Sequence, residues 1–194
     1  MSNEIRGAEQ ARATSKRKAI LDAATSLMVA GGLRRVTHRQ VAAEAGVPVG
    51  SVGYYYSSRE QLIDVCFSEI HMRRRAVAET VLAQATRGRS KREVAEDVIA
   101  IATAGHPEGV PGLVYSIVDA KRELEDPIRA RVNEQISQAF ELIDALLERS
   151  GYSNLTARGA AHALIGAGAL ADPQHENSHD CARAALVAAL EATR

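Results

Sequence analysis

Arg39 and the run Tyr54-Tyr55-Tyr56 are the side chains of this sequence whose types and spacing best suit chemistry on a polyanion. An arginine fork can grip phosphate or the edge of a guanine, and a tyrosine hydroxyl can hold a phosphate backbone. Three of only seven aromatic residues fall in that run, beside a basic helix end. The plain alternative is a solvated arginine next to core aromatics. Bond-breaking chemistry is not written here. No G-x-S-x-G, Walker A, H-E-x-x-H or Gly-rich dinucleotide fingerprint occurs, so neither an enzyme nor a cofactor is expected.

These residues lie in THRQVAAEAGVPVGSVGYYYSSREQL, residues 37–62, which reads as a helix, a tight turn, a second short helix and a capped third. Thr37 and Gln40 form a capping box, with Val36 and Val41 as the hydrophobic staple across it. Val41, Ala42 and Ala45 give the first helix one apolar face. Gly46-Val47-Pro48 is the turn, a glycine being the expected stop after an alanine-rich helix. The second helix starts at about Pro48 or Val49 and ends near Tyr55; Gly50 lets its backbone approach DNA or a neighbouring helix closely. Ser57/Glu60 and Ser58/Gln61 are overlapping capping boxes, so the next helix has two possible first residues. The spacing is that of a helix-turn-helix, whose second helix is laid into the major groove.

Composition permits more than a lone DNA-binding module. The chain has 194 residues, 46% of them apolar, enough for a sizeable core in one or two domains. No apolar run reaches the roughly 18 residues of a membrane span. The polar start MSNEIRGAEQARATSKRK has no apolar h-region, so a secretory signal is not expected. Cys66 and Cys181 are too few for a disulfide framework and fit a reducing cytoplasm. Net charge is zero, yet residues 1–60 carry +4 and residues 61–194 carry −4. A basic head on an acidic body suits presentation of one end to phosphates, and zero overall charge argues against a non-specific nucleoid binder.

The rest of the chain patterns as helices. Residues 1–13 read as a flexible arm. A first helix over about 14–30 sets Ile20, Ala23, Ala24, Leu27 and Met28 on one face, ending at Gly31-Gly32. The helix opening at Ser57 or Ser58 carries Leu62, Val65, Cys66, Ile70, Val77 and Val81 and extends to about Ala85. Ser90 with Glu93 caps another, bearing Val94, Val98 and Ile101 and stopping near Gly105. Residues 106–112 read as irregular, and Pro111 opens a helix with Leu113, Ile117, Ala120 and Leu124 in line. Asp126 is read as an N-cap with Pro127 at the first helical position, ahead of the stripe Ile128, Val132, Ile136, Phe140, Ile143 and Leu147. The segment at about 155–171 is apolar nearly all round and rich in Gly and Ala, so it must be buried on more than one side. A last helix spans about 178–193. With no strand pattern or internal repeat, the fold class is all-α, about nine to ten helices.

With these residues in place, the chain resembles the tetracycline-repressor family of bacterial transcriptional regulators. The resemblance covers residues 14–65, including ILDAATSLMVAGGLRRVTHRQVAAEAGVPVGSVGYYYSSREQLI, while the body matches only in helix count and length. It implies a three-helix DNA-binding domain at 14–60 and an effector-binding and dimerisation domain at 61–194. It also implies a homodimer on double-stranded DNA, a pseudo-palindromic operator, and release by a small-molecule effector of unknown identity. By carry-over, Thr37 and His38 meet phosphate, Arg39 reaches a base edge, and Val49, Gly50 and Ser51 lie at the groove floor. Tyr54 and Tyr55 hold the backbone, Arg59 anchors a phosphate, and Arg12, Lys16 and Arg17 are backbone contacts from the arm and first helix. Tyr56 packs inward. Gly53 departs from the usual tyrosine, which removes a base contact and lowers helix propensity by about 1 kcal/mol; Tyr56 replaces the usual phenylalanine. Two long helices of each protomer, here residues 127–149 and 155–171, would form a four-helix bundle. Leu142, Leu146, Ala160, Ala163 and Ala167 are its candidate interface.

Other candidates are weaker. Tyr115 and Asp119 share one face of an apolar helix and could read a polar or cationic group on an effector, joined by His71, Met72, His106 and Gln138. Alternatively Asp119 pairs with Lys121 or Arg122 near the surface and Tyr115 is ordinary core. Arg73-Arg74-Arg75 cannot all face one way on a helix and read as a solvated face. The loop holding Asp172, His175, Glu176, His179 and Asp180 follows no standard metal-ligand spacing, and a solvated loop with a Ser178 or Asp180 cap is the better reading. The alternative function is a regulator of the same fold that senses thiol oxidation or a metal. Free cysteine, however, is most often a small buried hydrophobe.

Overall fold

Side-chain caps set where most of the helices begin. The computed structural model describes residues 2–106, 109–171 and 177–192, and the side chains of all of these except 2–5, 114, 117, 118 and 121. Among the described residues there are nine α-helices and no strand: α1 (Ser2–Gly31), α2 (His38–Glu44), α3 (Val49–Tyr55), α4 (Arg59–Gln84), α5 (Lys91–Ala102), α6 (Val110–Glu123), α7 (Asp126–Ser150), α8 (Ala157–Leu170) and α9 (Ser178–Ala192). One 3-10 turn, Leu33–Arg35, joins α1 to α2. Thr37, Ser58, Ser90 and Thr156 each accept the third backbone N–H of their helix. Ser90 and Glu93 complete the reciprocal box, Glu93 Oε2 accepting from Ser90 N at 2.8 Å. Ser58 is the cap of α4, accepting from Gln61 N at 3.1 Å, and the Gln61 side chain reaches back to Ser57 N at 2.7 Å, so of the two expected pairs Ser58/Gln61 starts the helix.

Two boundaries differ from the sequence expectation in a way the residues explain. α1 begins at Ser2 rather than near Thr14, and residues 6–19 are exposed throughout. That segment has helix formers but no apolar face, so periodicity registers only from Ile20 onward. Asp126 is the first helical residue of α7, Glu125 its N-cap and Pro127 its second residue; Asp126 forms an ion pair with Arg129 instead of capping. The last helical residue described is Ala192, and Thr193 lies outside the described residues.

Two clusters of buried side chains hold the molecule together. The first joins α1–α4 through Ile20, Met28, Leu33, Val41, Tyr56 and Leu62, and includes Ala120 and Leu124 of α6 and Val132 of α7. Each fully buried Leu or Ile contributes about 1.5–3 kcal/mol, so the head is welded to the body rather than hung from it. The second lies among α4, α5 and α7–α9, with Val98, Ile99, Leu147, Leu164 and Leu186 at its centre. No described helix is long and apolar enough to cross a membrane.

Leu146 and Ala160, expected at a partner interface, are fully buried in this second cluster. Leu142 and Ala163 pack against it, and Ala167 is half-buried. The α7 stripe faces its own subunit, because the body needs that apolar face for its core. Outer surface is left on α8 and α9, at Arg158, His162 and Leu170 and at Ala184 and Ala188.

Candidate nucleic-acid interface and body cavity

The head presents a short second helix from a turn of defined geometry. α2 ends with Gly46 at φ 64°, Val47 N bonding Ala42 O at 3.0 Å and Gly46 N bonding Ala43 O at 3.3 Å. This is a Schellman stop, and its left-handed residue is tolerated because glycine has no Cβ. Val36 and Val41, fully buried on either side of the Thr37 cap, fix the entry angle. Gln40 Oε1 accepts from the Thr37 hydroxyl at 3.1 Å, so the capping box is half formed.

On this scaffold Arg39, Gly50 and Gly53 are exposed, Val49 is half open, and Tyr54 is 83% exposed. Thr37, His38, Ser51 and Tyr55 are half-buried beside them, and Tyr55 meets Tyr54 edge-to-face at 5.1 Å. Lys16 and Arg17 are exposed on α1, with the Arg17 guanidinium 5.9 Å from the Tyr56 ring centre. Tyr56 is buried, and that burial raises its hydroxyl pKa above the usual value. A Cβ added at Gly53 would meet no atom within 4 Å, so the missing side chain costs the fold no contact and leaves the outward face of α3 bare.

Arg59 departs from its expected role. Its Nε donates to Val36 O at 2.9 Å and its Nη2 to Leu33 O at 2.8 Å and to Glu123 at 3.3 Å. The guanidinium ties α4 to the 3-10 turn and to α6, and is spent inside the protein rather than held out for phosphate. Arg34 makes the parallel link, 3.5 Å from Asp119 and 3.3 Å from Glu123. One end of α6 is thus pinned to the head by two arginines.

The six effector candidates do not meet in one place. Met72 and Tyr115 are exposed, and Asp119 faces Arg34 at the head. His106 sits 3.5 Å from Arg73, and Gln138 bonds Glu134 on the surface. His71 is half-buried, and desolvation lowers its pKa. The body cavity is lined by immediate neighbours of three of these candidates, Ile70 beside His71, Ser116 beside Tyr115 and Ala120 beside Asp119. It holds about 80 Å³ of free space, well below the usual volume of a ligand pocket, so a bound molecule has to widen it. Phe67, Ile70, Leu113, Ala120 and Ile136 supply apolar walls, with Arg74, Ser116 and Gln135 as polar points. A second lobe, also of about 80 Å³, shares Arg74, Leu113 and Ile136 with the first.

The arginine triplet divides three ways. Arg73 pairs with Asp22 and Glu69, Arg75 is exposed, and Arg74 turns inward. Phe67, Ile70 and Arg74 recur at helical spacing, which is the signal that could have placed Arg74 on the cavity side.

Cys66 is fully buried, and desolvation pushes its thiol up to about 12, the reverse of what a redox sensor needs. Asp172, His175 and Glu176, of the loop read as solvated rather than metal-binding, lie outside the described residues. His179 and Asp180 belong to α9, where they pair with Glu96 and Arg183.

These features define an all-α protein with a helix-turn-helix head locked onto a hollow helical body. Residues 20–66 match the family model for bacterial regulatory proteins of the tetR family. The whole chain superposes on a structure from Mesorhizobium loti MAFF303099 assigned to the TetR family, with TM-score 0.59, 17% identity and 94% and 96% of the two chains covered. The multidrug binding protein EbrR, complexed with imidazole, aligns at TM-score 0.54 and 24% identity over 90% of this chain and 94% of that one. The regulator FadR from Bacillus subtilis, in complex with stearoyl-CoA, aligns at TM-score 0.55 and 18% identity over 91% and 99%. No curated protein matches in sequence. Residues 20–66 thus carry the DNA-binding region that the tetR-family model describes, and the rest of the chain shares the fold of these neighbours.

Proposed function

We propose that the protein is a ligand-responsive repressor that binds a pseudo-palindromic operator as a homodimer and lets go when a small molecule fills the body. The reading rests on α6. Leu113, Ser116 and Ala120 line the cavity, while Asp119 and Glu123 of the same helix hold Arg34 and Arg59 beneath the head. A ligand that favours one setting of α6 also favours one placement of the head, and in a dimer that placement sets the separation of the two recognition helices. Imidazole and stearoyl-CoA, found with the two neighbours, are chemically unlike, so the ligand class must come from this chain's own cavity. The desolvated Cys66 speaks against a thiol-oxidation sensor.

Dimerisation through the outer faces of α8 and α9, the last two helices, replaces the pairing of α7 with α8. Ala184 and Ala188 stand one turn apart on exposed α9, and Leu170 is 86% exposed at the end of α8. Selection of bound DNA from a random-sequence library tests the whole reading. The expected product is an inverted repeat with half-sites about 10–10.5 base pairs apart or a multiple of that. An enriched single site without symmetry, or no enrichment, would refute it.

A further inference from the structure

We infer that the body cavity takes an amphipathic anion, its carboxylate seated on Arg74 and its apolar part along Phe67, Ile70, Leu113 and Ile136. This rests on the reading of the body as an effector domain and narrows it to a ligand class.

The cavity is apolar except at a few points. Arg74 borders both lobes, and its Nε donates to Ile101 O at 3.1 Å while Nη2 reaches Ala102 O at 3.3 Å. Those carbonyls are the last turn of α5, where the helix dipole favours a cation. The guanidinium is therefore held by neutral oxygens and fixed in direction. It has no carboxylate partner among the described residues, although Arg73 before it holds two. No Asp or Glu lines either lobe among the described residues. Burial pulls the Arg74 pKa down only to about 10, so the group stays charged at neutral pH.

A charge placed in apolar surroundings without a counter-ion is costly, and a ligand carboxylate would offset that cost with charge-assisted hydrogen bonds. Gln135 and Ser116, which line the first lobe and make no side-chain hydrogen bond to another described residue, can complete the shell around its oxygens. The same arrangement repels a cation and offers a neutral head group only ordinary hydrogen bonds. The two lobes meet at Arg74, Leu113 and Ile136, so a slender flexible tail can run from one into the other.

Calorimetric titration with three probes sharing a ten-carbon tail decides the matter: decanoate, decan-1-ol and decyltrimethylammonium. Decanoate should bind the full-length protein at least about tenfold tighter than decan-1-ol, the range of one hydrogen-bonded charge. The ammonium probe should bind weakest. Arg74→Gln should abolish the preference and Arg74→Lys should retain most of it. Gln135→Leu, which leaves the α5 carbonyls untouched, should reduce it several-fold and keeps the test valid if Arg74→Gln does not fold. Equal affinity for decanoate and decan-1-ol, or a preference that survives Arg74→Gln, overturns the inference. Decan-1-ol releasing DNA as well as decanoate would leave the effector reading standing while the anion claim fell. Binding of none of the three overturns the anion claim; the effector reading would then be decided by whether filling the cavity with Ala102→Trp changes DNA affinity.

Discussion

Arg39 stands exposed on α2 with no ion pair among the described residues, so truncating it removes nothing from the fold. Arg39→Ala should change unfolding free energy by no more than about 0.5 kcal/mol. Loss of a bidentate base contact should weaken operator binding by about 1–3 kcal/mol. Equal loss on random DNA would reassign the residue to phosphate. Gly53 is the complementary case, since its Cβ direction is open. Gly53→Ala should stabilise the head by about 1 kcal/mol in urea unfolding through helix propensity alone; destabilisation would mean the α3 backbone needs glycine there. Residue roles were legible where local spacing determines them, as with the Thr37 cap, while the burial of Tyr56 followed from the family resemblance. They were not where helix rotation decides. His71 and Arg74 are three positions apart on one helix, and only packing by α5 and α6 turns the second toward the cavity.

At the scale of elements, α6 crosses α1 more tightly than any side chain would permit. A Cβ at Gly112 would lie 1.6 Å from Val29 O, backbone against backbone. Gly112→Ala must drive the helices apart, at about 1–3 kcal/mol or more of stability in thermal unfolding; an unchanged melt would contradict the crossing. The corner between α4 and α5 carries a pH dependence. Burial and the Arg73 cation lower the His106 pKa, and burial with Arg74 and Arg75 lowers that of His71. Below the unfolded value of about 6.5 the unfolded chain takes up these protons before the folded one, so acid favours unfolding. The melting temperature should fall from pH 7.5 to 5.5, and His106→Gln should flatten the slope; an equal slope in that variant would assign the effect elsewhere. The capped start of α5 was readable to the residue, though its end, expected near Gly105, falls at Ala102. The start of α1 was not, because an exposed helix without an apolar stripe leaves no periodic trace.

For the whole molecule, the charge asymmetry of +4 on residues 1–60 against −4 on the remainder orients the head toward phosphate while the body repels it. The helical fold was readable because turn chemistry and 3.6-residue periodicity repeat along the chain. Leu146 and Ala160, read as facing a partner, lie in this chain's own core, because a helix apolar nearly all round does not reveal which face is inward. Ala160 and Leu164 of α8 face the core and Ala169 the surface. Ala184→Arg, on the exposed face of α9, should yield monomers in sedimentation and lose operator binding. A variant that still sediments as a dimer would move the interface elsewhere. The central claim, sequence-specific DNA binding by this head, is tested most directly by fluorescence anisotropy across a salt series. The titration compares DNA from upstream of the protein's own gene, or the library-selected site, with a scrambled duplex. We predict at least about a thousandfold preference for the specific duplex, reduced in Arg39→Ala. Equal affinity for both duplexes with the same salt slope, unchanged in the variant, would contradict it.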